Sequence, residues 1–336
     1  MKTNKKILLI SPARYGYVMN DVEILGKHYE VIFFVYDTKG LITLITNTTR
    51  YIINFFYNIL SLQAIVVWFA DYHGLAPTLM ARLFGKKIII IVGGYDACKV
   101  PEYNYGAHIQ QWRSKMIKYI CSHSTYTLCV SHHTAKELIN NTNITPSYRL
   151  KVVHNTAMVS SVHDIAQKQD IVICVSKVPD YKTYMIKGVD RFIALAQAMP
   201  QVRYVWIGAS KFDTAFVAPI PNNLTVIEAV EKDILFTYLA NSKVICQLSR
   251  VESFGVALLE GMMLGNVPIG MKNTGSSEVI NTSFGYVIEE FEVSKVADMV
   301  QNALINAPEW STLNVNYAKE HFGFEKRVEA MIQLIG

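Results

Sequence analysis

Short apolar runs without polar alternation recur along this 336-residue chain, and they constrain its fold most. They lie at Ile7–Ile10, Val31–Tyr36, Ile65–Phe69, Lys87–Val92 and Tyr126–Val130, with Leu150–Val153 as a sixth. A strand with one wet face alternates apolar and polar side chains; these runs do not, so both faces are buried. Helical patterns fill the gaps, at Asp21–His28 with Asn20 or Asp21 as its cap, at Leu75–Phe84 and at Ile109–Cys121, and Ser131 caps another. Strand-helix alternation with such strands predicts an α/β fold whose parallel sheet is covered on both sides. The pattern lapses over Ser160–Asp170 and then restarts. Strands are expected at Ile171–Val175, Val202–Ile207, Leu224–Ile227, Val244–Leu248 and Val267–Gly270, and helices at Val189–Met199 and Ile234–Ala240, while Glu278–Ile280, Gly285–Ile288 and Val293–Ile305 continue to a closing strand and helices. Two successive α/β units of similar size facing a cleft follow, over residues 1–162 and 163–315, with a final segment 316–336. Helices are read at Val293–Ile305 and Glu325–Leu334, the second amphipathic.

Composition removes several function classes. Apolar residues make up 51% of the chain, enough for two cores. The formal charge of +5 weakly favours anionic ligands, and no Lys/Arg block supports nucleic acid. Five cysteines without a CxxC spacing read as small buried hydrophobes in a reducing cytoplasm. Neither a signal peptide nor a spanning helix is expected. There is no P-loop, no G-x-G-x-x-G and no Asp-x-Asp. His73, His132 and His133 lack partners at metal spacing and read as surface or loop residues, so no metal site is expected.

The chemistry concentrates in Val244–Glu278. A buried strand is followed by a polar turn, Ser249–Ser253, and a helix from Gly255 to Leu264. Ser253 is the natural cap, and Gly255 permits close approach by a ligand. Glu252 lies before the helix and Glu260 inside it, on the order of 8–12 Å apart by helical rise. Carboxylates accept hydrogen bonds from sugar hydroxyls, and a helix N-terminus at a strand end suits an anion. The plainer alternative is a capping carboxylate with a solvated helix glutamate. Lys177, at the end of the strand Ile171–Val175, and Lys187-Gly188, opening the next helix, add the cations a diphosphate needs. Singly, each lysine reads as a surface residue.

These residues resemble glycosyltransferase family 4, retaining and nucleotide-sugar-dependent transferases of the GT-B fold. The resemblance is strongest over roughly residues 170–290. Ser249-Arg250-Val251-Glu252-Ser253-Phe254-Gly255 through Glu260-Gly261-Met262 is similar to that family's E-x7-E donor motif. Asn266-Val267-Pro268 and Thr274–Glu278 are similar to its next strand and loop, and Val130-Ser131 and Val153-His154-Asn155 to N-terminal signposts. The resemblance implies that Glu252 contacts the donor sugar beside the reacting carbon and that Glu260 holds the ribose hydroxyls. Lys177, where the family has an arginine, and Lys187 would neutralise the diphosphate. Ser253, Phe254 and Gly255 would approach the sugar or phosphates, and the loop at Ala229-Val230 would border the base. It also implies no cofactor beyond a UDP- or GDP-sugar co-substrate, a glycan or lipid-linked acceptor, and a last helix crossing back to the first domain. Departures fall on the acceptor side. The glycine-rich loop is reduced to Ala13-Arg14-Tyr15-Gly16-Tyr17, and the family histidine gives way to Gly93-Gly94-Tyr95-Asp96. Tyr15, Gly16 and Gly94 are then candidate cleft residues. Asp96 is a candidate polar group near the reacting carbon, or equally a turn aspartate. Lys182 competes with Lys187, because the gap from Lys177 is long.

Leu41–Leu62 is aromatic and apolar, with Arg50 its only charge. It reads as a helix packed under the sheet or, alternatively, as a helix on the inner membrane surface that brings the enzyme to a lipid-linked acceptor. Two other function classes remain: a GT-B nucleotide-sugar epimerase or hydrolase, and a binding protein. The binding protein is either a non-catalytic nucleotide-sugar-binding relative or an exported two-lobed receptor.

Overall fold

β-branched and aromatic side chains fill the apolar runs, and the runs become strands. The computed structural model describes residues 5–38, 40–147, 149–159, 168–210 and 219–336. The chain divides into two compact units, Met1–Thr156 with Phe324–Gly336, and Ala157–Gly323. Most of the expected linker lies outside the described residues, as does the boundary after residue 162.

The first unit holds six parallel strands: β1 (Lys6–Ser11), β2 (Glu30–Val35), β3 (Leu62–Trp68), β4 (Ile88–Val92), β5 (Tyr126–Cys129) and β6 (Leu150–Val152). Their order is β2-β1-β3-β4-β5-β6. The helices between them are α1 (Gly16–Gly26), α2 (Leu41–Asn58), α3 (Tyr72–Leu83), α4 (Gln111–His123) and α5 (His132–Thr142). α1 starts five residues before the expected Asp21. Asp21 is therefore no cap; it is fully buried inside the helix, bonded to Arg327 and Trp68.

The second unit holds β7 (Gln169–Val178), β8 (Arg203–Ala209), β9 (Leu224–Glu228), β10 (Ser242–Gln247), β11 (Val267–Met271) and β12 (Tyr286–Ile288), also all parallel. The order is β12-β11-β10-β7-β8-β9, the doubly wound arrangement that reverses direction between its first and fourth strands. Helices α6 (Tyr181–Ile186), α7 (Val189–Ala198), α8 (Lys232–Asn241), α9 (Val256–Met263) and α10 (Val293–Phe322) cover it. Alternate residues of one strand feed two cores. Val172, Val244 and Val267 pack in one cluster, Ile173 and Ile245 in the other. Of the segments expected to close the unit, Glu278–Ile280 holds no strand and starts at the end of a short 3₁₀ turn, Gly275–Glu278, while Gly285–Ile288 supplies the closing strand β12. α10 passes the expected stop at Ile305 and runs through Pro308 to Phe322. Its buried stripe, from Val296 and Val300 to Val315 and Ala318, keeps helical spacing on both sides of the proline. Residues 316–322 thus belong to the second unit, and only α11 (Phe324–Ile335) joins the first.

Candidate functional site

In a doubly wound sheet the ligand crevice opens at the carboxyl ends of the strands flanking the reversal. In the second unit those strands are β7 and β10, and the donor-side candidates gather there. β7 ends in a register irregularity between Val175 and Val178 that presents Lys177 outward, exposed. Lys177 has no ion-pair partner among the described residues. Lys187 does not open the next helix directly. α6 stands between strand and lysine, which accounts for the long Lys177–Lys187 gap. Lys182 lies inside that helix, exposed. Gly188 follows with a left-handed φ of 66°, and a Cβ there would meet the Leu248 carbonyl oxygen at 2.0 Å. This contact seats Lys187 against the turn after β10.

The turn delivers Glu252 to Lys187. Lys187 Nζ lies 2.9 Å from Glu252 Oε2, and Gln247 Nε2 donates to the same oxygen at 2.8 Å. The backbone N–H of Ser253 donates to Oε1 at 3.1 Å. Arg250 fixes the turn from below through a bidentate pair with Asp190, at 2.7 and 2.6 Å, and a bond to the Met185 carbonyl. The loop Thr274–Glu278 is stitched on from the other side, the Gly275 N–H donating to the Glu252 carbonyl at 2.7 Å. A Cβ at Gly275 would meet the Ser253 carbonyl oxygen at 1.9 Å.

Ser253 does not cap α9. The cap residue is Gly255, at φ 92° and ψ 53°, and no side chain caps the helix. A Cβ at Gly255 would lie 2.6 Å from Gln247 Oε1, itself a buried oxygen without a partner. Phe254 is buried and packs on Phe322 within the same unit. Glu260 is not a solvated helix residue; it is 5% exposed. Lys232 Nζ lies 3.4 Å away. Burial raises the Glu260 pKa, and the lysine opposes that shift. The loop expected to border the base, Ala229-Val230, leads directly into α8, whose first residue is Lys232. Val230 is half-buried. Lys232, Gln247 and the Asp190–Arg250 pair escaped the sequence reading. Gln247, a polar residue closing an apolar strand, carried a readable signal; the others carried none.

In the first unit the reversal lies between β1 and β3. Tyr15 precedes α1 and Gly16 begins it. The Tyr15 ring is 40% exposed and stacks on Tyr17 at 5.5 Å. Both rings meet Phe69 edge-on. Phe69 holds a φ of 71°, costly for an aromatic residue, and a Cβ at Gly93 would strike its ring at 2.4 Å. Asp71 forms a bidentate pair with Arg113, whose guanidinium lies over Tyr72 at 4.9 Å and Tyr95 at 5.1 Å. His73 is buried and bonded to the Trp68 carbonyl, contrary to its reading as a surface or loop residue.

Asp96 is 1% exposed. One oxygen accepts from the N–H groups of Gly93 (3.0 Å) and Gly94 (2.8 Å), the other from Ala70 (2.8 Å). With both oxygens committed to backbone, it is a positioning residue that ties the loop after β3 to the turn after β4. Gly94 takes a φ of 133° in that turn. Burial pushes the Asp96 pKa up to about 6, against the three N–H donors. A carboxyl whose folded pKa lies above its unfolded value stabilises the fold most when protonated. That contribution is complete below about pH 4 and is lost as pH rises through about 6. The stability difference between the parent and Asp96→Asn should therefore fall by roughly 2 kcal/mol from pH 4 to pH 7. Urea unfolding of both proteins across that range checks it, and a flat difference contradicts it.

Residues 159–321 match the family model described as Glycosyl transferases group 1. No curated relative matches the chain by sequence. HepE of Anabaena, solved in complex with UDP and glucose, is similar with a TM-score of 0.74 and 14% identity, 98% of each chain being covered. Sucrose-phosphate synthase from Thermosynechococcus elongatus gives 0.75 and 13%, again over 98% of each chain. WaaG, a glycosyltransferase involved in lipopolysaccharide biosynthesis, gives 0.68 and 13%, over 98% of this chain and 99% of that one. Identities this low speak to fold, and the fold is GT-B with two Rossmann-like units.

Proposed function

We propose that this GT-B chain is a retaining glycosyltransferase that moves a sugar from a UDP- or GDP-sugar to a glycan or lipid-linked acceptor, in cytoplasmic assembly of a cell-surface polysaccharide. The observation that carries the reading is the Lys187–Glu252–Gln247 cluster at the reversal of the second sheet, inside the segment that matches the group 1 family. In this reading the bond from the anomeric carbon to the diphosphate breaks, its electron pair passes to the leaving phosphate oxygen, and an acceptor hydroxyl oxygen bonds the same face of that carbon while its proton passes to the departing diphosphate. Lys177 and Lys187 stabilise that charge, Lys187 exchanging Glu252 for the diphosphate. Glu252 is then turned toward the donor sugar, and Glu260 accepts from the ribose hydroxyls with Lys232 beside it. In this reading the two lysines supply the countercharge a divalent cation would otherwise give, and the transfer needs no resident metal or cofactor. The first unit takes the acceptor on the side of Tyr15, Gly16 and Gly94.

Thermal shift and calorimetry against UDP-, GDP- and ADP-sugars test the donor half, because a ligand of the native state raises the melting temperature. A UDP- or GDP-sugar should bind, and Glu260→Gln should weaken it roughly 10- to 100-fold through loss of a charged hydrogen bond. Binding indifferent to Glu260→Gln removes the ribose assignment. Incubating the sugar nucleotide without acceptor separates the rivals: an epimerase or hydrolase converts it, and a transferase leaves most of it intact.

A further inference from the structure

The face of α2 turned away from the sheet is unusually apolar. Tyr51 and Phe55 are buried beneath the helix, as the plainer reading of Leu41–Leu62 expects. Yet Ile42, Ile53, Tyr57 and Leu60 stand 83%, 64%, 87% and 99% exposed. The plate continues onto the end of α3, where Phe84 packs edge-on against Phe56 at 5.2 Å and Leu83 is 77% exposed.

A cavity of about 270 Å³ opens beside this plate. It lies at the amino ends of β4 and β5, the sheet edge opposite the carboxyl ends that carry Tyr15 and Gly94. Arg82, Lys86, His123 and Arg149 line it, and no carboxylate does. Lys86 reaches the Leu62 carbonyl at 3.3 Å, which ties the cavity to the start of β3, just past the loop leaving α2. Between Thr38 and Tyr95 the sequence has one acid, Asp71, and Arg113 pairs with it. Glu30, at the same sheet edge, is paired with Lys6 at 3.1 Å. Arg82 and His123 sit in the last turns of α3 and α4, where a cation offsets the helix dipole. Lys86 lies off the helices, exceeds that need and has no carboxylate partner among the described residues. Lys87 does not line the cavity; it donates to the carbonyls of Leu334 and Ile335.

From this juxtaposition we propose that the first unit docks on an anionic phospholipid bilayer. The α2–α3 plate enters the headgroup boundary, and a lipid phosphate occupies the Arg82–Lys86–Arg149 cavity. Apolar residues and cations together distinguish the occupant. A second copy of the chain would present the same cations to themselves, and a zwitterionic surface would leave the charge unmatched. The segment spans nothing: among the described residues no helix is long and apolar enough to cross a membrane.

Vesicle flotation of the full chain, without any sugar nucleotide, tests this independently of the proposed transfer. Vesicles of phosphatidylcholine with 30% phosphatidylglycerol (about one lipid in three) should carry the protein, and pure phosphatidylcholine should carry far less. Arg82→Gln with Lys86→Gln should weaken binding by about thirtyfold, at about one kcal/mol per cation. Tyr57→Ser with Leu60→Ser, both on solvent-facing side chains, should weaken it without lowering the melting temperature. Equal binding to both vesicle types, no binding, or indifference to both double variants overturns the proposal. So does a dimer in ultracentrifugation that the Tyr57/Leu60 variant dissolves, since a second copy would then cover the plate. A fall in melting temperature for Arg82→Gln/Lys86→Gln with unchanged flotation also overturns it, by reducing those cations to helix-end partners.

Discussion

Glu252→Gln is expected to lower kcat for sugar transfer by about 10²–10³-fold while affinity for the free nucleoside diphosphate stays close to that of the parent. The geometry separates the two effects. Glutamine keeps the side-chain length, and its carbonyl oxygen still accepts from Gln247, which now bonds Oε2 at 2.8 Å. The turn is held independently by Arg250–Asp190 and by the Gly275 N–H, so the backbone has no cause to move. What is lost is the negative charge that Lys187 meets at 2.9 Å. Lys187 then has one competitor fewer for the diphosphate, and nucleotide binding does not weaken. The reacting sugar, by contrast, loses a charged acceptor beside the carbon that becomes cationic. Lys187→Met should reduce kcat and donor affinity together, because it removes charge from the leaving group. In the double variant the two effects should fall short of their sum, as side chains in contact do. Single-turnover rates and calorimetric Kd values on the four proteins read both quantities. Full turnover by Glu252→Gln or Glu252→Ala would sink the assignment.

The parallel sheets were legible because nothing else suits strands such as Ile88–Val92, apolar at every position. The donor-side stretch was legible because its residues are close in sequence. Glu252, Gly255 and Glu260 sit on one strand-turn-helix, and the order of strands then places Lys177 and Lys187 beside it. What escaped depends on contacts between distant segments. Lys232 meets Glu260 only because β9 leads α8 past α9, and no local pattern announces that. Ser253 looked like a cap on propensity, but the turn closes with Gly255 in the left-handed region and the helix starts later. Asp21 looked like a cap for the same reason, and the helix had already begun at Gly16. Asp96 could be read either as a turn residue or as a reacting group. Its burial and three backbone donors assign it to the loop, and neither is visible in Gly-Gly-Tyr-Asp.

The same distant pairing underlies the largest stability effect expected in the first unit. Arg327, on α11, is 3% exposed, and Asp21, on α1, is fully buried. Arg327 Nη2 lies 2.7 Å from Asp21 Oδ2, and the Trp68 indole donates to that oxygen at 2.9 Å. Nη1 donates to the carbonyls of Val153 (3.2 Å) and His154 (2.8 Å). One ion pair thus joins the final helix, the first helix, β3 and the segment after β6. Removing one partner leaves a buried charge whose remaining bonds are too few. Asp21→Ala or Arg327→Met should therefore cost about 3–5 kcal/mol. In a unit of this size that lowers the melting temperature by about 10 °C. Replacing both, Asp21→Val with Arg327→Met, should cost less than the sum of the single losses, since no charge is then stranded and only the indole N–H and two carbonyls go without partners. Denaturant unfolding of the four proteins, followed by tryptophan fluorescence, measures the coupling directly. Single-variant losses below about 1 kcal/mol would mean that water reaches the pair and that α11 is held by its apolar face, Met331, Leu334 and Ile335, instead.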